Sequence, residues 1–183
     1  MSTHSTARLA RSVSEHDHIR GPATARVTLL EYGDYQCPYC GEAHLVVEAL
    51  RERGADNLRF VFRHFPLTQV HPFAEPAAES AEAADARGKF WEMHDTLYHN
   101  QEALDATHLM QYAAGIGLDP TEIAEELAAR RYQARVHEDF LGGVRSGVNG
   151  TPTFFINGIR YDGPPDFDSL STALEQAAET KRR

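Results

Sequence analysis

The apolar positions of this chain alternate between strand and helix periods along its length. From Val27 to Tyr32 (VTLLEY) they run almost without interruption after Gly21-Pro22, which predicts a short buried strand. From Pro38 the period becomes helical. His44, Val47 and Leu50 recur on one side, Glu42, Glu48 and Arg51 lie elsewhere around the wheel, and Gly54 ends the pattern, so a helix is expected from about Pro38 to Arg53. Leu58 to Phe65 (LRFVFRHF) then reads as a second strand. Phe60, Phe62 and His64 fall on one face, Val61, Arg63 and Phe65 on the other, and Pro66 closes it.

From Pro72 to about Leu141 strand signals fade and helix formers dominate. An alanine-rich stretch spans Glu75 to Arg87, and Gly88 marks a joint. Phe90, Met93 or His94, and Leu97 continue at helical spacing, followed by Leu109, Tyr112, Ala113 and Ile116, ended by Gly117. Asp119-Pro120-Thr121-Glu122 is a helix start in which either Asp119 or Thr121 can cap. A further helix carries Val136, Phe140 and Val144. After Gly147 the strand pattern returns: Thr153 to Ile156, the turn Asn157-Gly158, and Ile159 to Tyr161 make a hairpin. Phe167, Leu170, Leu174 and Ala177 form a last amphipathic helix, and Lys181-Arg182-Arg183 is a solvated tail. The expected class is α/β. A polar arm over residues 1–20 precedes one domain over 21–183, interrupted by a helical insertion at about 67–131.

Composition narrows the function. Of 183 residues, 42% are hydrophobic and 25% charged, as in an ordinary globular chain. No run approaches the roughly 18 apolar residues of a membrane span, so no membrane insertion is expected. The formal net charge of -9 repels phosphate and argues against a nucleic-acid partner. The first 20 residues contain no apolar signal core, which leads us to expect a cytoplasmic protein. The 2 cysteines exclude a multi-bridge disulfide scaffold and a four-thiolate zinc site. What remains is one dithiol, Cys37 and Cys40.

Cys37-Pro38-Tyr39-Cys40 follows a strand and opens a helix. Free N–H groups and the macrodipole at a helix N-terminus favour a thiolate, so Cys37 is expected to ionise below the free value of about 8.5. The i, i+3 spacing brings both sulfurs to one face within reach of a disulfide. Pro38 suits the first helical turn, having no N–H to leave unpaired. Cys37 is then the exposed nucleophile, and Cys40, one turn further in, resolves the mixed disulfide. His44 shares the helix face, which raises a Cys-Cys-His zinc site. No fourth ligand announces itself and no other histidine pair has ligand spacing, so neither metal nor cofactor is expected. Glu31, six residues before Cys37, is either buried beneath the helix start, where it accepts a proton from Cys40 or disfavours the Cys37 thiolate, or faces solvent at the strand end. Asp34 reads as turn chemistry. Thr151-Pro152 stands just before the late hairpin.

These segments resemble the DsbA-like thioredoxin-fold family. The resemblance runs through YGDYQCPYC, the alanine-rich stretch into GKFWEMHDTLY, and GVNGTPTFFING, in the family's order, from about Gly21 to Leu174. It implies a thioredoxin fold of four or five strands with an α-helical insertion over the active site. It also implies thiol–disulfide exchange with protein thiols and disulfides as partners. By the same resemblance Cys37 is the nucleophile, Cys40 the resolving thiol, Pro152 the cis-proline, Thr151 the residue whose backbone pairs with an extended substrate, and Glu31 the acidic residue below the site. Pro38 and Tyr39 tune the thiol. The Pro-Tyr dipeptide departs from the Pro-His of the oxidase that names the family and is the dipeptide of many glutaredoxins, so strong oxidising power is not implied. Glutathione or a thioredoxin-type reductant is the alternative partner, and a non-catalytic redox-sensing module is the alternative role.

Overall fold

The computed structural model describes residues 7–54 and 56–180. In chain order it forms β1 (His18–Arg20), β2 (Val27–Gly33), α1 (Pro38–Gly54), β3 (Leu58–His64), α2 (Ala74–Asp85) and α3 (Phe90–His99). There follow α4 (Ala106–Gly115), α5 (Pro120–Ala128), α6 (Gln133–Arg145), β4 (Thr153–Ile156), β5 (Ile159–Tyr161) and α7 (Phe167–Thr180). The described residues group into two compact units. The first holds the chain up to Gly33, Glu42–Arg63 and everything from Gly142 on; the second holds Asp34–Gly41 and His64–Leu141. The segment expected as an insertion, 67–131, falls within this second unit.

The first unit is built on a five-stranded sheet in the order β1-β3-β2-β4-β5. β2 is buried along its whole length, as its apolar run requires, and pairs antiparallel with β4. The β4–β5 hairpin turns through Asn157 and Gly158, both at positive φ (48° and 81°), the geometry that Asn-Gly favours. Residues 7–9 extend alongside β5, with Leu9 N–H donating to the Gly158 carbonyl and Arg160 N–H to that of Ala7, so this sheet edge is covered. α7 lies against β2 and β4 and buries Leu170 and Leu174.

The polar arm is where the structure departs from the sequence reading. Residues 18–20 are not arm but β1, paired antiparallel with β3 through His18↔Phe62 and Arg20↔Phe60. The physical reason is Arg63. This fully buried guanidinium donates to Asp17 through Nε (2.7 Å) and Nη2 (3.0 Å), to the carbonyls of Arg11 and Ser12, and to the Tyr32 hydroxyl. A buried cation must be paired and hydrogen-bonded, and the arm supplies the partners. Burial pushes the Asp17 carboxyl up, but the Arg63 hydrogen bond, the Ser14 N–H and the nearby guanidinium charges hold it below its ordinary value. Residues 1–6 of the arm and the Lys181-Arg182-Arg183 tail lie outside the described residues.

The second unit holds the loop Asp34–Cys37, the first turn of α1, the end of β3, the helices α2 to α5 with their connections, and most of α6. Ala77, Ala78, Ala81, Ala83 and Ala84 of α2 are all buried, and their small side chains let α3, α4 and α5 approach closely. Asp119 is the cap of α5, accepting from Thr121 N–H with Pro120 in the first turn, which resolves the choice between Asp119 and Thr121. In the same unit, Nε2 of His64 lies 2.8 Å from Oε1 of Glu82, and Asp139 bonds both Arg135 (2.6 Å) and the His64 backbone N–H (3.2 Å). No helix among the described residues is long and apolar enough to cross a membrane.

Candidate active site

β2 hands the chain at Gly33 to a four-residue loop that ends at Cys37, and α1 begins at Pro38. Cys37 therefore occupies the cap position of α1. Its carbonyl receives the N–H of Cys40 (3.1 Å) and of Gly41 (3.2 Å), the first bonds of the helix. The two cysteines are free thiols lying 3.9 Å apart. A disulfide needs sulfurs at roughly 2.05 Å, so a small movement of one side chain closes the bond.

Cys37 is not the exposed residue expected from its place in the turn. It is 4% exposed, against 0% for Cys40, and the first turn of α1 presents Pro38 and Tyr39 to solvent instead, Tyr39 at 68%. The cause is the anchoring of the loop backbone. The N–H of Cys37 donates to the Asp34 carbonyl (3.1 Å), and Nε2 of Gln101 donates to the carbonyls of both Tyr35 and Cys37, each at 2.8 Å. Cys37 is drawn inward and its neighbours project.

Asp34 does more than turn chemistry. Its Oδ1 accepts from the Gln36 N–H at 2.8 Å, the expected Asx turn, while Oδ2 accepts from the Leu67 N–H and from Nδ1 of His71, each at 2.8 Å. Gln36 in turn accepts the Phe73 N–H at 2.7 Å. The strand-to-helix loop and the segment 67–73 are thus one hydrogen-bonded assembly around a buried carboxylate. Tyr35 points into an aromatic cluster of the same unit. Its hydroxyl lies 2.9 Å from Nδ1 of the buried His94, and its ring meets those of His64, His94 and Tyr98. Trp91 and Phe90 join this cluster against His94, as an insertion core requires.

The remaining residues singled out from the sequence belong to the first unit. Glu31 lies opposite Phe154 of β4 and is 1% exposed, which removes the solvent-facing alternative for its side chain. The Thr151–Pro152 peptide is cis and immediately precedes β4. His44 is buried on α1. His71, which with His64 flanks Pro66 in the sequence and could thereby approach the site, does reach the loop through Asp34. Gln101 and His94 carry no site signal in the sequence, where polarity beside an apolar helical stripe does not tell a loop anchor from a surface side chain.

A family model described as thioredoxin matches residues 13–176. The chain belongs to the thioredoxin family. Among solved structures it resembles oxidised BdbD from Bacillus subtilis, with a TM-score of 0.83 at 20% identity over 90% of this chain and 94% of that one. It also resembles α-DsbA1 from Wolbachia pipientis, with a TM-score of 0.81 at 18% identity over 93% and 94%. A thioredoxin-like oxidoreductase from Silicibacter pomeroyi matches at 26% identity with a TM-score of 0.78, over 92% of this chain and 94% of that one. The fold is the DsbA-like form of the thioredoxin family, α/β with the helical unit described above. Curated relatives are of another kind. The Na(+)/H(+) antiporter NhaA 1 of Salinispora arenicola is 49% identical over 165 residues, which are 89% of this chain and 25% of that protein. The chain spans about a quarter of the length of the curated relatives it matches.

Proposed function

We propose that the chain is a thiol–disulfide oxidoreductase acting on protein substrates through Cys37 and Cys40. The observation that carries this reading is the pair of free thiols 3.9 Å apart across the first turn of α1, on a loop whose backbone is anchored at both ends. The Cys37 thiolate attacks one sulfur of a substrate disulfide, forming a mixed disulfide and expelling the other substrate sulfur as a thiolate, which takes up a proton. Cys40 loses its proton and attacks the Cys37 sulfur, closing the Cys37–Cys40 disulfide and releasing the second substrate thiol. One dithiol is oxidised and one disulfide reduced, and the reverse sequence forms a substrate disulfide. Helix N-terminal N–H groups favour the Cys37 thiolate, with Pro38 and Tyr39 setting its surroundings. Glu31 is assigned proton exchange with the resolving step, and the Thr151 backbone before Pro152 is assigned strand-like pairing with the substrate. Insulin reduction with a dithiol donor tests the reading: wild type turns over and Cys37→Ser does not. Full activity in Cys37→Ser overturns it. Replacing the donor by glutathione alone discriminates a glutathione-coupled reductase.

The identity with a segment of an antiporter favours a second reading, in which the dithiol serves as a redox-sensing module for a membrane Na(+)/H(+) exchanger. It is supported if the purified chain does not turn over insulin yet binds such an exchanger in only one of its two redox states.

A further inference from the structure

We infer that Gln101 is a positioning residue of the dithiol, holding the Cys37 backbone so that the thiolate faces the helix N–H groups that stabilise it. This inference rests on the thiol–disulfide reading and names the group that keeps that site in register. Gln101 lies just beyond α3, 64 positions from Cys37 in sequence, yet its side-chain nitrogen reaches the carbonyls of Tyr35 and Cys37 at 2.8 Å each. Carbonyl oxygens only accept, so the amide orientation is fixed by its partners: Nε2 faces them and spends both its hydrogens on the loop. The two bonds fix the Tyr35–Gln36 and Cys37–Pro38 peptide planes. With the Cys37 N–H held by the Asp34 carbonyl, the nucleophile's main chain is constrained on both flanks.

A second observation points the same way. A side chain at Gly41 would overlap the Gln101 amide, so the glycine leaves room for the clamp beside the active-site turn. Gly41 belongs to the first turn of α1, and its own N–H donates to the Cys37 carbonyl that Gln101 also engages. Thiolate stabilisation by N–H donors falls steeply with misalignment. Releasing the clamp lets the Cys37 carbonyl and its side chain drift from that alignment. It also removes a donor dipole from beside the nucleophile. Both effects disfavour the charged form.

The test is the pH dependence of Cys37 alkylation by iodoacetamide in the reduced full chain, which reads the thiol without requiring turnover. Gln101→Met keeps length and volume but has no donor, and Gly41→Ala displaces the amide while leaving Gln101 in place. Both are expected to raise the apparent thiol pKa and to slow alkylation at pH 6 by about threefold or more, the scale of one hydrogen bond. The alkylation rate at high pH stays unchanged, because the thiolate itself is intact. In wild type, the Gln101 side-chain amide resonances are expected to shift with the Cys37 titration, a measurement that needs no variant. Unchanged alkylation profiles in folded variants, or Gln101 resonances indifferent to that titration, overturn the inference. So does a lowered melting temperature with an unmoved profile, which marks a merely structural role. Failure of wild type to reduce insulin overturns the exchange reading instead and leaves the alkylation result standing.

Discussion

Nδ1 of His71 lies 2.8 Å from Oδ2 of the buried Asp34, 37 positions earlier in the chain. The same carboxylate accepts the N–H groups of Gln36 and Leu67, so three donors converge on it. Removing it leaves those three donors, all on half-buried residues, without their acceptor, at about 1–3 kcal/mol for each that water cannot reach. Asp34→Ala is therefore expected to lose about 3 kcal/mol in urea unfolding, and Asp34→Asn less, since its carbonyl oxygen still accepts. An Asp34→Ala variant as stable as wild type contradicts the anchoring described here.

Asp17 and Arg63 give a pH dependence with a definite sign. The Asp17 carboxyl is held below its ordinary value, so the unfolded chain binds this proton more readily than the folded one. The stabilisation is complete above the unfolded value of about 3.9 and disappears as pH falls through the lower folded one. Wild-type stability is expected to drop across that acid window, and Asp17→Asn to lose this part of the dependence. At neutral pH Asp17→Ala leaves the Arg63 charge buried without its carboxylate, at a cost of about 3–5 kcal/mol. Urea unfolding of the two variants between neutral and acid pH measures both effects.

Tyr39 projects from the dithiol turn, 68% exposed, and carries no charge. A histidine there adds a cationic form beside the Cys37 thiolate, which stabilises the reduced state. Tyr39→His is expected to make the protein more oxidising, by about 30 mV or a tenfold change against glutathione. Equilibration in glutathione buffers with thiol trapping gives the value. A potential equal to or below that of wild type contradicts this account of the thiolate.

Much of the fold was legible because its signals are local. The apolar run of β2, the alternation of β3, the Asn157-Gly158 turn and the stripe of α7 each lie within one element. The juxtaposition of Cys37 and Cys40 was legible for the same reason, since it follows from a spacing of three at a helix start. β1 was not: its three residues, His18 to Arg20, carry no apolar pattern, and their place is set by Arg63 drawing in Asp17 from 46 positions away. Gln101 escaped, and the bond of His71 to Asp34 was not foreseen, because a polar loop residue looks alike in sequence whether it faces water or clamps a backbone. Cys37 was expected to be exposed because its turn suggested it, and those distant anchors are what turn it inward.

Glu31 lies within β2 with almost no exposure, a costly place for a carboxylate without a task. Assigned to proton exchange in the resolving step, it predicts that Glu31→Gln leaves the attack by Cys37 intact but slows release. Quenched reactions analysed by mass should then show a longer-lived mixed disulfide than in wild type. A wild-type lifetime removes Glu31 from the mechanism.

The central claim is that Cys37 attacks and Cys40 resolves. Reduced Cys40→Ser protein, mixed with insulin and analysed by intact mass under non-reducing conditions, tests it most directly. The account predicts an adduct joining Cys37 to an insulin chain, reversed by dithiothreitol and absent from Cys37→Ser protein treated identically. No adduct from Cys40→Ser, or an equal adduct from Cys37→Ser, contradicts it.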